Sequence, residues 1–186
     1  MDATALLRPG LLAGWTIAFG GGAALAPPLA GLGATLVSLS ASDDEDAAAE
    51  EVRAAVAGSP IDALVHDARL GFAAAGGGAD GFRAALDGAW TIVRAVANAA
   101  FIADARGGKV VLVAPLPDAG DPHAEAARAA LENLARTLSI EWARYGVTTV
   151  ALTPGASTTD AELASLAAYL ASPAGDYFSG CALALA

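Results

Sequence analysis

Apolar residues fall along this chain in two alternating textures. In short runs nearly every position is apolar. In longer alanine-rich stretches, Leu, Phe or Trp return every three or four residues. The first texture reads as a strand buried on both faces and the second as a helix with one apolar side. Strands are expected at 15–19, 34–39, 61–66, 109–114, 147–153 and 180–185. Helices are expected at 23–32, from the acidic run at 43–46 through 56, and at 80–104, 123–145 and 160–171. Pro27 and Pro28 fall inside the first helix and predict that it is short or distorted. Acidic residues at the start of the second suit the positive end of a helix dipole, and Gly146 ends the fourth. Segments 73–79 and 115–122 read as loops. Regular alternation of such strands and helices predicts an α/β fold, a Rossmann-like doubly wound parallel sheet with helices on both faces. Neither a repeat nor a linker divides the sequence, so residues 1–186 are expected to form one domain.

Composition narrows the function classes. The chain is 55% hydrophobic and 16% charged, which excludes a disordered chain. Asp and Glu number 20 against 10 Lys and Arg, a net charge of −10 that argues against nucleic acid and anionic membrane partners. A mean hydropathy of +0.51 raises the membrane question. Gly, Pro and charge clusters break every stretch of spanning length, so no membrane partner is expected. One cysteine, Cys181, allows neither an internal disulfide framework nor a multi-cysteine zinc site. The first ten residues lack the basic segment and long apolar run of a signal peptide, so a cytoplasmic protein is expected. Nine of the ten basic residues are Arg, which leaves Lys109 as the one lysine.

Several segments together resemble the short-chain dehydrogenase/reductase family. They are GGKVVLVAP, EAARAALENLARTLSIEWARYGVTTVALTPG and AAYLASPAGDYFSGCALAL in the second half. Upstream, AFGGGAALAPPLAGLGATLV is similar to the family's first strand, turn and helix. IDALVHDAR resembles its "LDVLVNNAG" strand, and RAALDGAWTIVRA the helix that carries its asparagine. The resemblance spans nearly the whole chain and implies the family's fold. It also implies a shortened version. Between ATLVSL and IDALV there is room for about one helix, where the family fits a helix, an edge strand and another helix, and the substrate-covering segment after Pro154-Gly155 is missing.

The family's catalytic positions, carried over through the same segments, hold other residues. The tyrosine position falls on Ala124 and the lysine position, four residues later, on Arg128. The serine position falls near Ala114 or Pro115 and the asparagine position near Ala85. "NNAG" has become His66-Asp67-Ala68-Arg69, and Thr16 stands where the first glycine of the nucleotide loop belongs. Gly20, Gly21 and Gly22 remain between strand and helix, where glycines let a backbone approach a pyrophosphate. Phe19 and the paired prolines disturb that loop, so a tight strand-to-helix turn is the expected role. An alanine cannot transfer a proton, and Lys109 begins a strand, so no Tyr-Lys pair can form within this chain.

Other residues invite chemistry and are weighed against plainer roles. His123 sits beside the tyrosine position and reads first as a helix-start histidine. His66 and Asp67 follow a strand end, but a His-Asp pair without a nucleophile is usually structural. Arg128 is similar to the arginine of the family's halohydrin dehalogenase branch, which also needs the absent serine and tyrosine. The acidic run at 43–46 reads as a solvated helix start, and no metal site is expected. Trp90, Leu131, Trp142, Tyr145, Phe178 and Cys181 are candidate interface residues, since the resemblance implies that the two long helices and last strand build subunit contacts.

The expected function is a non-catalytic subunit that pairs with a catalytically complete short-chain dehydrogenase/reductase in a heterotetramer or dimer. NAD(P) is then expected only in the partner. The alternative is an active atypical enzyme using His123 and Arg128, either an NAD(P)-dependent oxidoreductase or a cofactor-free lyase or dehalogenase-like catalyst.

Overall fold

The computed structural model of the protein describes residues 5, 7–22, 24–40, 42, 44–103 and 105–186. The expected helix starts at 23 and 43 and the expected helix end at 104 lie outside the described residues, as do positions 1–4 and 6. Six strands form one parallel sheet: β1 (Thr16–Gly20), β2 (Thr35–Leu39), β3 (Ala63–Asp67), β4 (Gly108–Val113), β5 (Val147–Thr153) and β6 (Cys181–Ala184). Their order is β2-β1-β3-β4-β5-β6. Among the described residues, these α-helices accompany them: α1 (Ala26–Gly31), α2 (Glu45–Gly58), α3 (Ala68–Ala74), α4 (Gly78–Val96), α5 (Pro122–Glu141) and α6 (Asp160–Ala171).

Strands β1, β3 and β4 are buried along almost their whole length because helices cover both faces. Side chains that alternate along each strand feed two separate cores. Ala18, Leu64, Leu112 and Ala151 face α2, α4 and α5. Ile17, Val65, Val111 and Leu152 face α1 and α6. Alanines at the helix contacts, among them Ala89, Ala127 and Ala168, let the helices lie close to the sheet and to each other.

The prolines act as expected. They occupy the first turn of α1, where a missing N–H is harmless, and the helix has only six residues. Helix α2 starts at an N-cap, Asp44, whose carboxylate accepts from the backbone N–H groups of Asp46 (2.9 Å) and Ala47 (3.1 Å). Helix α6 opens with a capping box between Thr159 and Glu162.

Two elements differ from expectation. Residues 68–74 form α3 next to the loop expected at 73–79, because Asp67 caps the segment and starts a helix of two turns. The long helix expected at 80–104 is α4 continued by a π-helical turn, Ala97–Ile102. That turn brings the Phe101 ring over Gly108, where any Cβ would overlap it. Sheet order also gives the shortened architecture. The chain passes from β1 out to edge strand β2 and returns through α2 alone to β3. Only residues 154–159 separate β5 from α6.

Candidate active-site crevice

The sheet order reverses at β1. The chain first moves to one side of it, then crosses to the other, and a crevice opens at the carboxyl ends of β1 and β3. Gly20 ends β1 in register with His66 of β3. Gly21 and Gly22 then turn the chain with φ of +83° and +132°, conformations that favour glycine. Their missing side chains leave room for the protein's own atoms. A Cβ on Gly21 would overlap the carbonyl oxygen of Asp67, and one on Gly22 would overlap Leu70.

Asp67 organises the opposite wall. It is buried, accepts from the backbone N–H of Arg69 (3.1 Å) and caps α3. The guanidinium of Arg69 returns to the same carboxylate through Nε (2.9 Å) and Nη2 (2.7 Å). Its Nη1 reaches Asp160, the first residue of α6, at 2.7 Å. Hydrogen bonding to Asp67 is the largest influence that raises the Arg69 pKa above its ordinary value, so this charge is permanent. A salt-bridged strap thereby crosses from the end of β3 to the start of α6.

His66 lies beneath the glycine turn and is only 4% exposed. Burial lowers its pKa to about 4, against the opposing pull of the Asp67 charge. Its Nδ1 has no hydrogen-bond partner, and a Cβ on Gly20 would stand 2.8 Å from that nitrogen. His66 is therefore a neutral packing residue near pH 7. His123 is half-exposed at the start of α5, where its Nδ1 lies 3.1 Å from Asp121 Oδ1. Asp121 also accepts from the backbone N–H of Gly78 (2.7 Å), the foremost cause of its lowered pKa, and so joins the starts of α4 and α5. His66 lines a small cleft with Gly21, Ala68 and Leu70.

Positions implied by the resemblance can now be placed. Ala85 of α4 and Ala124 of α5 are buried core residues. Arg128 points at the carboxyl end of the sheet, where its Nη1 donates to the carbonyls of Pro115 (2.6 Å) and Pro154 (2.8 Å). Its Nε lies 3.5 Å from Glu125. Arg128 thus ties together the loops that follow β4 and β5, a positioning role that the carried-over lysine position did not reveal. Lys109 lies at the opposite, amino end of the strands, on interior strand β4, paired with Asp176 and 5.9 Å from the centre of the Trp15 ring.

The candidate interface residues divide. Leu131 is fully buried against the sheet, which corrects its expected place at a surface: its position on α5 faces inward. Trp90 stands 38% exposed on α4. Trp142 and Tyr145 are half-buried at the end of α5. Phe178 packs edge-on to Tyr169 with ring centres 5.9 Å apart, and Cys181 is half-buried on edge strand β6.

Beside the Arg69 strap lies an open cleft of about 510 Å³, walled by Leu70, Phe72, Ala73, Pro115, Leu116 and Pro117. Sequence reading did not single out Leu70, Leu116 or the Arg69–Asp160 contact. Only the substitution of "NNAG" by His66-Asp67-Ala68-Arg69 hinted that this corner differs. Among the described residues, no helix is long and apolar enough to cross a membrane.

No protein-family model matches the sequence, and no curated protein matches it. Solved structures do. A citronellol catabolism dehydrogenase of Pseudomonas aeruginosa PAO1 is 25% identical, with 97% of this chain and 96% of that one covered and a TM-score of 0.79. A short chain dehydrogenase from Mycobacterium smegmatis is 19% identical, with 95% and 93% covered and a TM-score of 0.80. A gluconate 5-dehydrogenase from Burkholderia cenocepacia J2315, solved in complex with NADP and tartrate, is 20% identical, with 97% and 96% covered and a TM-score of 0.75. The parallel sheet, its strand order and its two helical layers are the Rossmann-like fold of the short-chain dehydrogenases, carried here on 186 residues.

Proposed function

We propose that the chain is a non-catalytic subunit with a short-chain dehydrogenase fold, which joins a catalytically complete relative and supports that partner's oxidoreductase activity. One observation carries the reading. The chain's own atoms crowd the glycine turn: the Asp67 carbonyl lies under Gly21, Leu70 lies against Gly22, and the Arg69 strap runs beside them from Asp67 to Asp160. A helix N-terminus that holds a pyrophosphate needs free backbone N–H groups and a helix behind them. Here the helix is six residues long and begins with prolines. The turn does not fit a dinucleotide, so NAD(P) belongs in the partner. Ala124 and Ala85 supply no proton donor, and Arg128 is held by two carbonyls. That last arrangement weakens the alternative of an active enzyme built on His123 and Arg128. The long helices α4 and α5 are complete and carry Trp90, Trp142 and Tyr145 near their surfaces, as a subunit contact requires. A cytoplasmic heterotetramer or heterodimer is the corresponding assembly.

Co-expression with an intact short-chain dehydrogenase encoded beside it tests the proposal. The two chains should co-elute, and the partner's activity or soluble yield should fall when this chain is omitted. A stable monomer that never co-elutes with such an enzyme would sink the idea.

A further inference from the structure

The cleft beside the Arg69 strap has the features of a ligand site. It encloses about 510 Å³, within the range of small-molecule sites. Leu70 on α3 and Leu116 in the loop after β4 face it, and each leaves more than two-fifths of its surface exposed, at 44% and 43%. Large aliphatic side chains that line one concavity and stay open to solvent gain when an apolar body covers them. One wall is rigid. Pro115 and Pro117 fix its backbone dihedrals, and Arg128 holds the Pro115 carbonyl at 2.6 Å. The concavity therefore exists before any ligand arrives.

Charge at the rim decides what kind of ligand enters. Among the described residues that line the cleft, the one cation is Arg69, already shared between Asp67 and Asp160, while Arg128 lies behind Pro115 and is held by its carbonyl. Asp118 is the second carboxylate of the lining, beside Asp160. Two lining acids against one base leave the rim net negative on a chain of net charge −10. A carboxylate or phosphate brought here would meet repulsion, and the guanidinium that lines the cleft is already paired.

We infer that this cleft binds a small, uncharged, predominantly apolar molecule. The inference rests on the reading that the crevice takes no dinucleotide, and it names the occupant of the space beside it.

Two dyes with nearly the same ring system and different charge test it. N-phenyl-1-naphthylamine is neutral, and 8-anilinonaphthalene-1-sulfonate is anionic. The purified chain should bind the neutral dye saturably at one site and the sulfonate about tenfold more weakly. Ala73→Trp fills the cleft from an exposed position and should abolish binding of the neutral dye. Leu116→Asp, in a loop, should weaken it by a similar factor. Asp118→Asn should narrow the gap between the dyes, and circular dichroism should show all three variants folded. Equal affinity for both dyes, or neutral-dye binding that survives Ala73→Trp in a folded protein, overturns the inference. Absence of saturable binding overturns it too but leaves the subunit proposal standing. Displacement of the dye by NADH would instead strike at the closed-crevice reading.

Discussion

His66 and Arg128 show how single residues take on structural duties at positions that invite chemistry. His66 is held neutral with a pKa of about 4, against 6.5 when free. Between those values the unfolded chain binds more protons than the folded one, so stability falls as pH drops from 6.5 towards 4. The loss attributable to this group is about 3 kcal/mol. His66→Leu should flatten that part of the stability-against-pH curve, measured by urea unfolding at pH 4.5 and 7. At pH 7 the variant should cost little, because the removed Nδ1 has no partner. An unchanged pH dependence in the variant would mean another group is responsible. Arg128→Ala leaves the carbonyls of Pro115 and Pro154 without their donor and should cost about 3 kcal/mol. Arg128→Lys should recover part of this, since an ammonium cannot reproduce the planar fork.

Helices and turns carry the next level of the argument. Gly21→Ala must resolve an overlap with the Asp67 carbonyl at a φ of +83°, so thermal unfolding should shift down by several degrees, for about 2 kcal/mol. Asp44→Ala removes the cap of α2 and should cost about 1 kcal/mol. The strands were legible because all-apolar runs have few other uses: β5 spans the expected range, and β1, β2 and β4 shift by one residue. Helix α6 spans the expected range, which Leu163, Leu166 and Leu170 at helical spacing made legible. Helix α3 was not, since seven residues give no measurable period and its cap, Asp67, also closes a strand. The π-helical turn was equally hidden, because it depends on the space that Gly108, on the next strand, leaves for the Phe101 ring.

For the molecule as a whole, sequence pattern and family resemblance reached the architecture, because a parallel sheet covered on both faces writes itself into hydrophobicity. They reached less of the crevice. The resemblance implied that Ala124, Arg128 and Ala85 stand at the tyrosine, lysine and asparagine positions, but not that Arg69 would bridge two elements or that Leu70 and Leu116 would face one cleft. Those facts arise from contacts such as Arg69 with Asp160, made across the fold. Together they give a domain with the sheet and long helices of a dehydrogenase fold whose own atoms crowd the glycine turn, the basis of the proposal that it takes no dinucleotide. Isothermal titration of NADH and NADPH into the purified chain tests this most directly. The account predicts no saturable heat for either nucleotide with the wild-type chain. Saturable binding with one site per chain would contradict it.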